Sequence, residues 1–574
     1  MKLSISLLGY SSSLFTVSHA SAFNWDAITP TWDLRYTQCY SKFECARILM
    51  PLDYLNTTDN RTVAIAVLKV PATVDVTDPA YGGTLMVNPG GPGDSGIVHM
   101  LKNGRYIQSQ IDGDKHYEVL SFDLRGVAYS TPRADCYSNE AAREAATWQS
   151  RGLGDLDSSD EGLKKHLVLS KAYGYQCARY KDEGVDFNIH EYTSTASIAR
   201  DMLRLVDETE ALRQKKLQVR TAAQVPLGGG NKESRLMYYG TSYGTILGNT
   251  FLSMFPGRVR RMMLDGVVVP ESWIDIDWSG NFRDTGNAND YLYQTCFNAK
   301  SNCTLRKDTD KSWHDIQHRV DTLIERLNAD PVPGPTDNGP EIFITGSDIM
   351  GLIFSQLYSP LDFFEGLSTT LAQAIDGNYT RVIQSLVPPT PAKNDEDEEP
   401  ADGIIRWFTW MSSTFASIAC ADANDTTGQP LQHWKRLLQR LEGQYPKLGA
   451  MTASTSILCS GWQSHPKYRF TGPFTSPEPD EREVEGQPSA PLLLLSSLYD
   501  PITPLASART VAKGHPGARV VMQRGVGHSL LATSAAAEIT RSFLSASKSS
   551  SIGAHFRLGN LARQHQYQNS QLQA

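Results

Sequence analysis

A chain of 574 residues, 40% hydrophobic and 20% charged, has room for a large core with an inserted domain and the make-up of an ordinary globular protein. Its net charge of -8, without any long basic run, argues against nucleic acid as a partner. No later apolar run reaches the ~18 to 20 residues a membrane span needs, so no stable membrane anchor is expected.

The first residues, MKLSISLLGYSSSLFTVSHASAF, combine one lysine, a modestly apolar stretch from Leu3 to Val17 and the small-residue cleavage site Ala20-Ser21-Ala22. They predict a signal peptide over 1–22 and a secreted protein beginning near Phe23. Eight cysteines, an even number, fit that oxidising route. Nearest-neighbour pairing would join Cys39 with Cys45, Cys136 with Cys177, Cys296 with Cys303, and Cys420 with Cys459. Sequons at Asn56, Asn60, Asn302, Asn378 and Asn424 agree with glycosylation along the same route.

After the leader, VAIAVLKV (63–70), TLMV (84–87) and YEVLSF (117–122) are short apolar runs between Gly-, Pro- and Asp-rich turns, and predict strands. Helical stretches follow around 137–205. The run RLMYY (235–239) predicts a buried strand, TILGNTFLSMF (245–255) a helix stopped by Pro256 and Gly257, and VRRMMLDGVV another strand. This alternation predicts a mostly parallel sheet with helices on both faces. From 271 to 454 Trp-rich, helix-like segments replace strands, with an acidic, proline-rich loop at 387–403, so this region is expected to be a largely helical inserted cap. Strand texture resumes at PLLLLSSLYD (491–500) and ARVVMQ (518–523), before an alanine-rich helix to about 545. The expected organisation is a core in two parts, 23–270 and 455–548, a cap over 271–454, and a polar, disordered tail over 549–574.

Ser242 lies between Gly240 and Gly244 at a strand-to-helix corner. That is the setting of a nucleophile elbow, where the sharp turn exposes the hydroxyl and the helix dipole favours developing negative charge. A serine needs a base, and the base an acid to hold its tautomer. His528, in the glycine-bounded loop RGVGHSLL, is the expected base and His515, in KGHPGAR, its rival. Asp500, at the end of a strand and before Pro501, is the favoured acid over Asp265 in MMLDGVV. The glycines of VNPGGPGDSG (87–96) leave bare backbone for an oxyanion, whose expected donors are the amides of Gly91 and Tyr243. Asp123 and Arg125 in SFDLRGVAYS are expected to brace that loop. The pair His314 and His318 in HDIQH mimics a zinc helix, but Asp315 stands where a glutamate is required and no third ligand is evident, so neither metal nor cofactor is expected.

Taken together, ECARILMPLDY (44–54), NPGGPGDSG, SFDLRGVAYSTPRADC (121–136), YYGTSYGTILGNTFLSMFPGRVRRMMLDGVV (238–268), CSGW (459–462), DPITPLASA and GVGHS resemble the tripeptidyl and prolyl aminopeptidase branch of the α/β-hydrolases, over nearly the whole mature chain. The resemblance implies the α/β-hydrolase fold, with Ser242 as nucleophile, Asp500 as acid and His528 as base. It also implies an exopeptidase acting on free N-termini, with cap acids holding the ammonium; Glu271, Asp275, Asp277 and Asp422 are the candidates. Two features depart from the family: Ala128, where R-G-x-G-x-S is commoner, which would loosen the bracing loop, and the long acidic cap loop. The expected partner is a peptide or a small ester, because a triad does not distinguish amide from ester; a silent binding protein is disfavoured by the intact triad and glycine loop.

Overall fold

The computed structural model describes residues 23–545 apart from 183, 222–232, 337–340, 388–403, 446–447 and 531–533. The expected leader, the tail and nearly all of the acidic loop lie outside the described residues. Nine strands form one sheet: β1 (Thr37–Cys39), β2 (Phe43–Pro51), β3 (Thr62–Val70), β4 (Tyr81–Asn88), β5 (His116–Phe122), β6 (Leu236–Thr241), β7 (Val259–Asp265), β10 (Leu493–Tyr499) and β11 (Arg519–Val526). Between β7 and β10, β8 (Val332–Gly334) and β9 (Ile342–Ile344) make a separate antiparallel ribbon. The sheet order is β1-β2-β3-β5-β4-β6-β7-β10-β11. β1, β2 and β3 pair antiparallel, as does β3 with β5, whereas β5, β4, β6, β7, β10 and β11 run parallel. This is the α/β-hydrolase fold.

Helices cover both faces, so the strands alternate between two cores. Met237, Tyr239, Met263, Leu493 and Leu495 pack with Ile97, Met100 and Ile107 of the helix Gly96–Ile111. Tyr238, Met262, Leu264 and Leu494 face the other way, onto Leu247 and Phe251 of the helix Tyr243–Met254 and onto Met202 and Leu205. Each such side chain removed from water contributes about 1.5–3 kcal/mol.

The segment between β7 and β10 adds no strand to the large sheet among the described residues. Its middle packs on itself, through Leu292, Ile316, Val320, Ile353 and Leu371. Its two ends do not: Trp273 and Trp278, then Ala416, Trp434 and Ile457, join the main core. The indoles of Trp273 and Trp278 stack with centroids 5.1 Å apart, and Trp273 also touches the Tyr243 ring at 5.5 Å. The middle of this segment therefore has a core of its own, while its two ends, the stacked indoles included, belong to the main core.

The eight cysteines pair as nearest neighbours, 39 with 45, 136 with 177, 296 with 303 and 420 with 459. All five sequon asparagines are exposed, as a glycan requires. No helix among the described residues is long and apolar enough to cross a membrane.

Candidate active site

Parallel pairing brings the ends of β4, β6 and β7 to one edge of the sheet, with Asn88 opposite Gly240 and Thr241 opposite Asp265. Ser242 follows β6 with φ +56° and ψ −121°, a sparsely populated conformation that marks a tightly held corner. Its amide donates to the Asp265 carbonyl at 2.9 Å, and its carbonyl accepts from the amide and the hydroxyl of Thr245. A Cβ at Gly240 would come within 2.4 Å of the Gly244 carbonyl oxygen, and one at Gly244 within 2.8 Å of the Asn88 oxygen. Both glycines are therefore steric requirements of the corner.

The loop after β4 folds over the serine. Gly90 and Gly91 have φ of +106° and +100°, and a Cβ on Gly90 would lie 2.9 Å from Ser242 Cβ and 3.2 Å from Tyr243 N. Bare backbone thus closes on the first amide of the Tyr243–Met254 helix, which has no acceptor within that helix. Asp123 holds the far end of the loop, accepting from Ser95 Oγ (2.7 Å) and from the amides of Ile97 and Tyr129. Burial lifts its pKa to about 6 despite these bonds. Arg125, fully buried, makes a bidentate pair with Asp201 at 2.7 Å and donates to the carbonyls of Pro51, Leu52 and Tyr192. Asp123 braces the loop, whereas Arg125, expected to do the same, makes its bonds elsewhere and ties the end of β2 and the Tyr192 turn to Asp201. Ala128 takes the left-handed conformation a glycine would adopt, φ +46°, so the alanine carries backbone strain where the family commonly has glycine.

His528 follows β11 and Gly527. Its Nδ1 lies 2.9 Å and 3.2 Å from the two oxygens of Asp500 and 3.0 Å from Thr503 Oγ1. Asp500 is held in turn by the amides of Ile502 and Thr503 and by the Thr503 hydroxyl. Nε2, buried, makes no hydrogen bond, to Ser242 Oγ or to any other atom. Burial opposes the charged imidazolium, but the charge and hydrogen bond of Asp500, with Asp265 and Asp94 behind, outweigh it and raise the His528 pKa above its ordinary value. Asp265 stays off the ring: its Oδ2 accepts from Tyr239 Oη (2.5 Å) and the Leu530 amide (2.6 Å), tying down the loop that carries His528. His515 is elsewhere, hydrogen-bonded to Ser476 and Asn249, its pKa lowered to about 4 by burial.

None of the four cap acids makes a hydrogen bond or ion pair with Ser242, Asp500 or His528 among the described residues. Glu271 and Asp275 are exposed, Asp275 accepting from Asn424, and Asp277 pairs with Arg440. Asp422 is buried with its carboxylate already saturated by the amide and hydroxyl of Thr195 and by Trp273 Nε1. Thr195 also meets the Tyr243 hydroxyl at 2.7 Å, so Asp422 buttresses the elbow from behind. Asp315 of the zinc-like stretch is a helix cap, accepting from the Ser312 amide. Two neighbours of the centre escaped sequence reasoning. Tyr358 of the cap accepts the His528 amide at 2.9 Å and sets its ring edge-on, 5.1 Å from the imidazole; no sequence signal marks it. Asp94 lies in the glycine loop, where an acid after GGPG was itself a visible signal.

A serine held in a strained corner, bare amides above it and a histidine–aspartate pair with one open nitrogen can carry acyl transfer. The TAP-like protein family matches residues 445–554, which include Asp500 and His528. The serine protease Hip1 of Mycobacterium tuberculosis (strain ATCC 25618 / H37Rv) is 28% identical over 335 residues, 58% of this chain and 56% of that protein. The chain thus matches only a little over half the length of Hip1. The tripeptidyl aminopeptidase of Streptomyces lividans is 22% identical over 522 residues, 88% of this chain and 81% of that protein. The chain resembles the tripeptidyl aminopeptidase branch of the α/β-hydrolases. Carboxylesterase B of the same M. tuberculosis strain is 28% identical over 490 residues, 84% of this chain and 80% of that protein, so the chain is similar to an esterase too.

Proposed function

We propose that the protein is a secreted serine hydrolase that releases short peptides or single residues from free N-termini through an acyl-enzyme on Ser242. Ser242 Oγ attacks the scissile carbonyl while His528 Nε2 takes its proton and Asp500 stabilises the imidazolium. The oxyanion is met by the amides of Gly91 and Tyr243. Collapse breaks the C–N bond, His528 returns the proton to the leaving amine, and water repeats the sequence on the ester. The carrying observation is that His528 Nδ1 is engaged by Asp500 while Nε2 is left open, beside a serine in a strained corner under the glycine loop. Catalytic hydrogen bonds are often long before substrate arrives, so the open Nε2 is compatible with its role as base.

A second reading, a carboxylic-ester hydrolase, draws on the similarity to carboxylesterase B. A panel of free-amino mono-, di- and tripeptidyl chromogenic amides beside short acyl esters separates the two. The aminopeptidase predicts faster cleavage of a free-amino amide, and N-acetylation should lower kcat/KM at least ~30-fold by removing a charge from a desolvated site. Faster cleavage of short esters than of any peptide would favour the esterase. A fluorophosphonate probe should label Ser242; absence of labelling on folded protein would leave a binding protein on a hydrolase fold. Secretion predicts a glycosylated product in the medium beginning near Phe23, and a chain retained in the cell with its leader intact would count against it.

A further inference from the structure

We propose that Asp94 is the carboxylate that receives the substrate's free α-ammonium, so that the anchor for the N-terminus lies in the glycine loop of the core and not in the cap. This rests on the aminopeptidase reading. Asp94 follows Gly91 and Gly93 in the loop that closes over Ser242, and a Cβ at Gly91 would lie 3.1 Å from Asp94 Oδ1. That oxygen is buried and has no hydrogen-bond partner. Among the described residues no lysine or arginine forms an ion pair with it; the positive charge it responds to is that of His528. Such an oxygen is costly to leave bare, and a cation brought in by substrate would satisfy it.

Asp94 is the one carboxylate lining a cavity of about 380 Å³, with Ser95, Val98, Thr241, Ser359, Ser529 and the exposed Lys102. Thr241 immediately precedes Ser242 and Ser529 immediately follows His528; Ser242 and His528 do not themselves line the cavity, but the charge of His528 reaches Asp94, which places the carboxylate near the histidine. The cavity's volume falls in the range of small-ligand pockets. The alternatives are less suited. Asp265 also has a bare oxygen, but its other oxygen is committed to Tyr239 and Leu530 and it does not line the cavity. Asp422 is saturated by its three donors, and Glu271 and Asp275 face solvent. Burial raises the Asp94 pKa to about 6, so near neutral pH it is an ionised, desolvated group awaiting a counter-charge.

The test compares a free-amino peptide amide with its N-acetylated counterpart. In Asp94→Asn, which keeps the shape and removes the charge, the ratio of kcat/KM for the free over the blocked substrate should fall at least about 30-fold, chiefly through KM, and Asp94→Glu should restore part of it. A ratio unchanged from wild type overturns the assignment. A wild-type ratio near one instead overturns the aminopeptidase reading, before any variant is made. Fluorophosphonate labelling checks that the variant is folded. Should it not be, wild-type enzyme decides: n-butylammonium should compete with the free-amino substrate at least about tenfold more tightly than neutral 1-pentanol, and equal inhibition overturns the proposal.

Discussion

β7 ends on Asp265 and β10 runs into Asp500, and the two strands are neighbours in the sheet. Both carboxylates are fully buried, and both help to raise the pKa of His528. Their hydrogen bonds separate them. Asp500 turns both oxygens toward Nδ1 and is itself oriented by Thr503 and two amides of its turn. Asp265 spends Oδ2 on Tyr239 and on the Leu530 amide, two residues beyond His528. One acid orients the ring and the other anchors the loop bearing it. Proximity and burial therefore do not identify the partner of a catalytic histidine; the direction of the acceptor oxygens does.

The largest effects come from the groups the two acids serve. Ser242→Ala and His528→Ala should each lower kcat by roughly 10^4-fold or more, and the double variant should be no worse than either, because the groups act as a unit; steady-state turnover with circular dichroism as the folding control measures this. Asp500→Asn should cost roughly 10^3- to 10^4-fold, since the amide favours the wrong imidazole tautomer. Asp265→Asn should cost less than about tenfold in kcat and about 1–2 kcal/mol of stability in urea unfolding. If Asp265→Asn is the crippled enzyme, the contrast between the two strand ends is reversed.

The pH profile sharpens the same contrast. Base catalysis needs neutral His528, whose pKa lies above the ordinary ~6.5 mainly because Asp500 outweighs burial, so wild-type kcat/KM should fall as pH drops through that raised value. Asp500→Asn removes the main raising influence, so its acid limb should move to lower pH, and Asp265→Asn should move it less. A profile flat from pH 4 to 8 would rule out a histidine base. A small effect is also expected of Thr503→Val, which removes a hydroxyl shared by Asp500 and His528 and leaves the carboxylate in place: about fivefold in kcat, for about 1 kcal/mol of orientation.

Much of this centre was legible along the chain because its constraints are local. The elbow depends on two glycines one residue either side of Ser242's neighbours, and the oxyanion loop on a run of glycines at a strand end, so short patterns carry them. The parallel strands read as apolar runs because both of their faces are covered. β1 and β2 did not, since ECARILMP mixes Glu44 and Arg47 into an edge region and its partner β3 lies eleven residues beyond β2. The role of Asp422 was hidden for a related reason: a carboxylate's role depends on which donors reach it, and Thr195 and Trp273, which hold it, lie 227 and 149 residues away along the chain.

By itself the sequence determined where a nucleophile elbow could form, which strands could be buried on two faces, and which cysteines stood close enough along the chain to pair. The tertiary structure decided which of two aspartates faces His528, which acids are already satisfied, and that Tyr358 and Asp94 stand at the centre. Backbone turns are set by neighbours in the chain, whereas the direction of a lone pair and the satisfaction of a buried charge are set by residues brought together only when sheet, loops and cap close on one another.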